Sequence, residues 1–294
     1  MSDRSSGSTP AIKQFVTSDG YEHQYRHWQP DAERPKGFVV ALHGIQSHSG
    51  WYEFTGSGLC EAGYEVFFID RRGSGLNERD RGHARHRERL VNDVVQLLRD
   101  VREHRNESAP TVPVTLLGLS WGGKLAAMVA GHRPELLDGL VLLYPGIRSQ
   151  IQTSCLNHLR LSLARRLEVF EKHVRIPLDD PALFTAEPEW QKFIRNDELA
   201  LHDVTVAFLL ANRQLDRRMS HCGSDIRCPV LTMLAGRDRI VDNIATKQWF
   251  GALATQERKL IEYPKAAHTL EFEPSRETYL TDLITWLNAL QKIT

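Results

Sequence analysis

The sequence predicts an α/β fold, a mostly parallel, doubly wound sheet opened by an antiparallel hairpin and carrying a helical cap insertion. Three observations predict it. Short, almost wholly apolar runs recur from Phe38 onward, as parallel strands buried on both faces require. Helical stretches separate these runs, and that alternation is the signature of a doubly wound sheet. One segment, residues 147–221, breaks the alternation with helical periodicity and no strand-like run.

Taken in order, Gln14 to Trp28 has strand-forming residues on both sides of Asp19-Gly20, a two-residue hairpin signal. The parallel strands are read at Phe38–Leu42, Val66–Ile69, Val112–Leu117, Leu140–Leu143, Val230–Leu234 and, with a weaker pattern, Lys259–Ile261. Between them lie helices at Glu88–Val101, Gly122–Gly131, Thr246–Leu253 and Thr278–Leu290. Within the insertion, Leu156, Leu159, Leu163, Leu167 and Phe170 repeat every three or four residues, as do Phe208, Ala211, Leu215 and Met219. Three prolines between Ile176 and Pro188 predict irregular chain there. The core is therefore assigned to 1–146 and 222–294, and the cap to 147–221, over the C-terminal edge of the sheet where α/β folds bind ligands.

Composition narrows the function. In 294 residues, 37 Lys and Arg balance 37 Asp and Glu with no dense basic block, which argues against nucleic-acid binding. Four cysteines without C-x-x-C spacing read as reduced thiols of a cytoplasmic protein. The polar start, Met1 to Pro10, has no apolar core of a signal peptide. No histidine cluster, His43 with His48 and His83 with His86 included, has zinc-type spacing, so neither a metal nor another cofactor is expected.

The chemistry centres on Gly118-Leu-Ser120-Trp-Gly122, which follows a buried strand and opens a Gly/Ala-rich helix. A G-x-S-x-G turn in that context holds its serine in a strained conformation above the sheet edge, making Ser120 the candidate nucleophile. A serine hydroxyl needs a base, and the base an orienting carboxylate, in the chain order Ser, acid, His. Asp238 follows a strand end, whereas Asp242 precedes a helix and reads as its N-cap. Of the histidines after Ser120, only His268 also follows Asp238. Backbone N–H groups of Trp121 and Ile45 are the expected oxyanion donors. His43, Gly44 and His48 of the same loop are expected to line the substrate site. Asp70-Arg71-Arg72-Gly73 does not form a nucleotide-binding G-x-G-x-x-G and reads as a loop held by a salt bridge.

Together, Leu42–Tyr52, Asp70–Gly75, Arg81–His83, Gly118–Gly123, Ala235–Asp242 and Ala267–Leu270 resemble the α/β-hydrolase superfamily. Within it they are similar to the monoacylglycerol lipase and lysophospholipase-like group, also catalogued as serine aminopeptidases. The resemblance implies an α/β-hydrolase fold and a serine esterase acting on a small-molecule ester or lipid, with any transient membrane contact made through the cap. It also implies Ser120, Asp238 and His268 as catalytic residues and Ile45 and Trp121 as oxyanion donors. Ile45 and Trp121 stand where that group often has a small residue and methionine, which predicts a reshaped acyl pocket. A proline-iminopeptidase-type aminopeptidase is the second reading, weakened because His43-Gly-Ile-Gln-Ser is not that family's His-Gly-Gly-Pro-Gly loop. A non-catalytic ligand-binding protein of the same fold is the third.

Overall fold

The computed structural model describes residues 8–151, 163–164 and 166–291. Strands β1 (Ala11–Val16) and β2 (Glu22–Trp28) form the expected antiparallel hairpin. Val16 pairs with Glu22, so the connection spans residues 17–21 and not the two-residue turn that Asp19-Gly20 signalled. Thr17 closes the longer loop: its N–H donates to the Tyr21 carbonyl (3.0 Å) and its carbonyl accepts from Gly20 N–H (2.8 Å).

Strands β3 (Gly37–Leu42), β4 (Tyr64–Ile69), β5 (Val114–Leu119) and β6 (Gly139–Leu143) are buried throughout, which explains their unbroken apolar sequences. In the insertion, β7 (His173–Arg175) pairs antiparallel with β8 (Asp203–Thr205). This corrects the expectation that 147–221 contains no strand; three-residue strands are too short to show a period. The main sheet continues with β9 (Val230–Ala235) and β10 (Arg258–Tyr263), in the order β1-β2-β4-β3-β5-β6-β9-β10. All pairings from β4 onward in that order are parallel, and β2 joins β4 antiparallel. As an edge strand, β10 is only half-buried, with Glu262 reaching Lys247 across 2.8 Å, and its sequence signal is correspondingly weak.

The helices are α1 (Glu53–Glu61), α2 (Arg87–Ser108), α3 (Trp121–His132), α4 (Pro188–Arg195), α5 (Val206–Cys222), α6 (Asn243–Gly251) and α7 (Arg276–Leu290). Helix α2 outruns its apolar stripe by two turns and stops before Pro110, which disfavours helical backbone at Ala109. Helix α4 begins on the third proline of the irregular stretch, since proline fits the first helical turn. Phe208, Ala211, Leu215 and Met219 are all buried, on the face of α5 that packs against α3. Of the other predicted cap helix, Leu156 and Leu159 lie outside the described residues, while Leu163, Leu167 and Phe170 are exposed. Ile176, Phe184, Ile194 and Phe208 of the insertion belong to the same apolar cluster as the sheet. The insertion therefore shares its core with the sheet.

Candidate active site

Ser120 lies between β5 and α3 with φ +51° and ψ −120°, a conformation that a side chain with a Cβ adopts only under strain. Its surroundings hold it there. Its N–H donates to the Leu143 carbonyl (3.0 Å), and its carbonyl accepts from Gly123 (2.9 Å) and Gly146 (2.6 Å). The flanking glycines permit the crossing of strand and helix. A Cβ on Gly118 would lie 2.6 Å from the Gly122 carbonyl oxygen, and one on Gly122 would strike the carbonyls of Leu42 and His43.

The three residues brought forward from chain order meet at this turn. His268 Nε2 lies 2.9 Å from Ser120 Oγ, and His268 Nδ1 lies 2.7 Å from Asp238 Oδ2. Asp238 Oδ1 accepts from the N–H groups of Ile240 and Val241, each at 2.8 Å, which fixes the carboxylate. With Oδ2 an acceptor, Nδ1 of the neutral ring carries the proton and Nε2 is free to accept from Ser120. The rival carboxylate, Asp242, caps α6 by accepting from Ala245 N–H at 3.0 Å. Tyr144, at φ +37°, sets its ring edge-on to His268 with centroids 4.8 Å apart.

Gly44 packs against Ser120, so that a Cβ there would stand 3.4 Å from the Ser120 Cβ. The Gly44 carbonyl accepts from His43 Nδ1–H at 2.8 Å. In a trans peptide the following N–H points the opposite way, so the Ile45 N–H faces away from His43. Trp121 is the first residue of α3, where a peptide N–H has no acceptor within the helix. Its indole N–H donates to Asn212 of α5 at 2.8 Å.

His43 and His48, expected to line the substrate site, brace the loop. His43 is 1% exposed, and its Nε2 accepts from Arg71 N–H at 3.1 Å while Nδ1 is committed to Gly44. Burial, aided by the nearby Arg71, pushes its pKa well below the usual histidine value. The unfolded chain therefore takes up a proton near pH 6.5 that the folded chain refuses, so this group's contribution to stability is full above that pH and declines as pH falls below it. Urea unfolding at pH 7, 6 and 5 is expected to lose up to about 1.4 kcal/mol per unit from this group, with a shallower slope in His43→Gln. Identical slopes in the two proteins would rule the assignment out.

His48 accepts from Gly50 N–H through Nδ1 and meets Asp197 Oδ2 through Nε2 at 3.0 Å. Trp51 Nε1–H joins it on the same carboxylate at 2.5 Å, tying the loop to the insertion. Burial raises the Asp197 pKa, but the hydrogen bonds and charge of His48 outweigh it and hold the carboxyl below the usual range. Glu271, three residues past His268, accepts from Phe54 N–H (2.8 Å), Thr55 N–H (3.2 Å) and Tyr279 OH (2.6 Å), joining the histidine loop to α1 and α7. Burial raises its pKa, with Thr55 and Tyr279 opposing. Neither carboxylate has a signal in the sequence, because each is defined only by distant partners.

A strained serine turn after a central strand, a histidine loop after the last strand and an eight-stranded sheet define an α/β-hydrolase. The chain belongs to the serine aminopeptidase S33 family, whose model matches residues 33–275. It is 25% identical over 283 residues to a monoglyceride lipase of Rattus norvegicus, covering 94% of this chain and 90% of that one. It is 27% identical over 256 residues to phospholipase YtpA of Bacillus subtilis, covering 85% and 94%. A soluble variant of monoglyceride lipase from Saccharomyces cerevisiae, crystallised with a substrate analog, shares the fold at a TM-score of 0.87, with 18% identity and 97% of each chain covered.

Proposed function

We propose that this chain is a serine hydrolase that cleaves carboxylic esters of lipids through an acyl-enzyme, with a monoacylglycerol or a lysophospholipid as substrate. The observation that carries the reading is the continuous hydrogen-bonded path Asp238–His268–Ser120, at 2.7 and 2.9 Å. His268 Nε2 takes the Ser120 proton as Oγ attacks the ester carbonyl, then returns it to the leaving alcohol; Asp238 holds the proton on Nδ1 and stabilises the imidazolium. The N–H groups of Ile45 and Trp121 receive the developing oxyanion. A water molecule deacylates the enzyme by the same proton path. The lipid preference is supported by the likeness of this chain to a monoglyceride lipase and a phospholipase. Residues 147–221 act as the cap, and exposed Leu163, Leu167 and Phe170 are apolar side chains it offers to a lipid surface.

A fluorophosphonate probe followed by peptide mapping tests the chemistry, and labelling is expected on Ser120. Steady-state rates on p-nitrophenyl esters from acetate to palmitate, on 1-acylglycerol, on lysophosphatidylcholine and on prolyl anilides test the substrate. Ester turnover is expected to exceed anilide turnover. An unlabelled Ser120 overturns the proposal. Anilide cleavage without ester cleavage makes the chain an aminopeptidase, and one burst of acyl release without turnover makes it a binding protein.

A further inference from the structure

Two adjacent arginines of the loop after β4 have opposite surroundings. Arg72 is paired with Asp93 through Nε and Nη2 at 2.9 and 2.8 Å and also reaches Asp19, the salt bridge the loop was expected to contain. Arg71 is 5% exposed, and among the described residues no Asp or Glu forms an ion pair with it. Its Nη2 donates to the Ile45 carbonyl and, at 3.4 Å, to that of Gly44. Its Nε and Nη1 are buried and have no hydrogen-bond partner, which leaves three of the five guanidinium N–H groups unpaired. The neighbouring Asp70 is already committed to the N–H groups of Ser49 (2.7 Å) and Leu76 (2.9 Å).

The position of this unpaired cation matters. Its Cζ lies 4.9 Å from the ring centre of Trp121, the residue after Ser120, and 5.4 Å from that of Phe208 on α5. Contact with two aromatic rings offsets part of the buried charge but supplies no acceptor oxygen. Arg81 is close enough to add positive field, while Asp70 offsets only part of the effect of burial, which brings the Arg71 pKa down to about 9 and leaves it cationic at neutral pH. An isolated buried charge is costly, and a guanidinium is the side chain best shaped to take carboxylate or phosphate oxygens.

We propose that Arg71 is a specificity-determining residue that receives an anionic oxygen, of a carboxylate or a phosphate, carried by the ester substrate. The inference rests on the ester-hydrolase reading and narrows its substrate class to esters bearing a negative charge near the scissile bond. Because Arg71 is 5% exposed, the anion reaches Nε and Nη1 only where the groups packed around the guanidinium, among them the Trp121 and Phe208 rings, give way, and it then completes the pairing the protein leaves unfilled.

Two matched substrate pairs test it and separate the two sources of charge. 1-Octanoylglycerol against its 3-phosphate places a phosphate on the alcohol side, and p-nitrophenyl pentanoate against p-nitrophenyl hydrogen glutarate places a carboxylate on the acyl side. The readout is the anionic-to-neutral ratio of kcat/KM within each pair, measured on the full chain, Arg71→Lys and Arg71→Gln. The ratio is expected to favour the anion in one pair and to fall by about ten- to a hundred-fold in Arg71→Gln, with a smaller fall in Arg71→Lys. No anion preference in either pair overturns the proposal. So does an unchanged ratio in Arg71→Gln with both rates reduced together, since Arg71 then only braces the Ile45 carbonyl. If Arg71→Gln does not fold, inhibition of neutral-ester hydrolysis in the unaltered protein decides: sn-glycerol 3-phosphate or glutarate should compete at least tenfold more tightly than glycerol, and equal weakness overturns it. Neutral esters hydrolysed by the unaltered protein and not by Ser120→Ala leave the ester-hydrolase reading standing whatever the ratios show.

Discussion

Replacing Ser120 with alanine is expected to lower kcat for ester hydrolysis by about six orders of magnitude while KM changes by no more than a few fold. The hydroxyl oxygen is the only heavy atom removed, and on the proposed mechanism it forms the covalent bond to the substrate. What remains is the catalysis that the backbone donors and substrate positioning can supply. The fold should survive, because alanine keeps the Cβ and the backbone bonds from Ser120 to Leu143, Gly123 and Gly146 are unaffected. The strain at φ +51° survives too. Ser120→Gly, equally inactive, relieves a conformation that costs about 1–3 kcal/mol and should unfold at a higher temperature than Ser120→Ala. Initial rates on a p-nitrophenyl ester and thermal unfolding of both variants check this. A loss below about a hundredfold in Ser120→Ala would mean that another group attacks the ester, and a lower Tm for Ser120→Gly would mean that the turn stores no strain.

The parts of this molecule legible in its sequence are those in which a physical constraint repeats along the chain. Val39, Val40 and Leu117 are apolar because both faces of their strands are covered, and that pattern is visible without a structure. The meeting of Ser120, Asp238 and His268 was legible for a related reason: each follows a parallel strand, and parallel strands bring the segments after them to one edge of the sheet. The turn at Asp19-Gly20 was misread because register is set by the pairing of β1 with β2 and not by one dipeptide. The hydrogen bonds of His43 and His48 were not legible, for a deeper reason. A loop histidine beside a G-x-S-x-G turn looks the same in sequence whether its nitrogens face a substrate or Arg71 N–H and Asp197. Glu271, Asp197 and the unpaired guanidinium of Arg71 were missed because they depend on partners far along the chain, or on the lack of one.

Asp238→Asn is expected to lower kcat by about four orders of magnitude near neutral pH, through the tautomer of His268 and not through loss of packing. The two backbone donors decide how the amide sits. Ile240 and Val241 N–H both donate to Oδ1, so the asparagine carbonyl oxygen takes that place and its NH2 turns toward His268 Nδ1. A donor facing Nδ1 makes that nitrogen the acceptor and moves the ring proton to Nε2, the atom that must accept from Ser120. Ser120 then has no base, although every heavy atom stands where it did. Asp242→Asn is the comparator: it keeps a good N-cap on α6 and should remain within a few fold of the unaltered protein. Rates of both variants, with the Nδ1–H resonance of His268 followed by NMR, separate the alternatives. Loss of that resonance together with activity supports the tautomer argument. Activity within tenfold in Asp238→Asn, with a large loss in Asp242→Asn, would move the orienting carboxylate to the other side of the loop and require a different arrangement of His268.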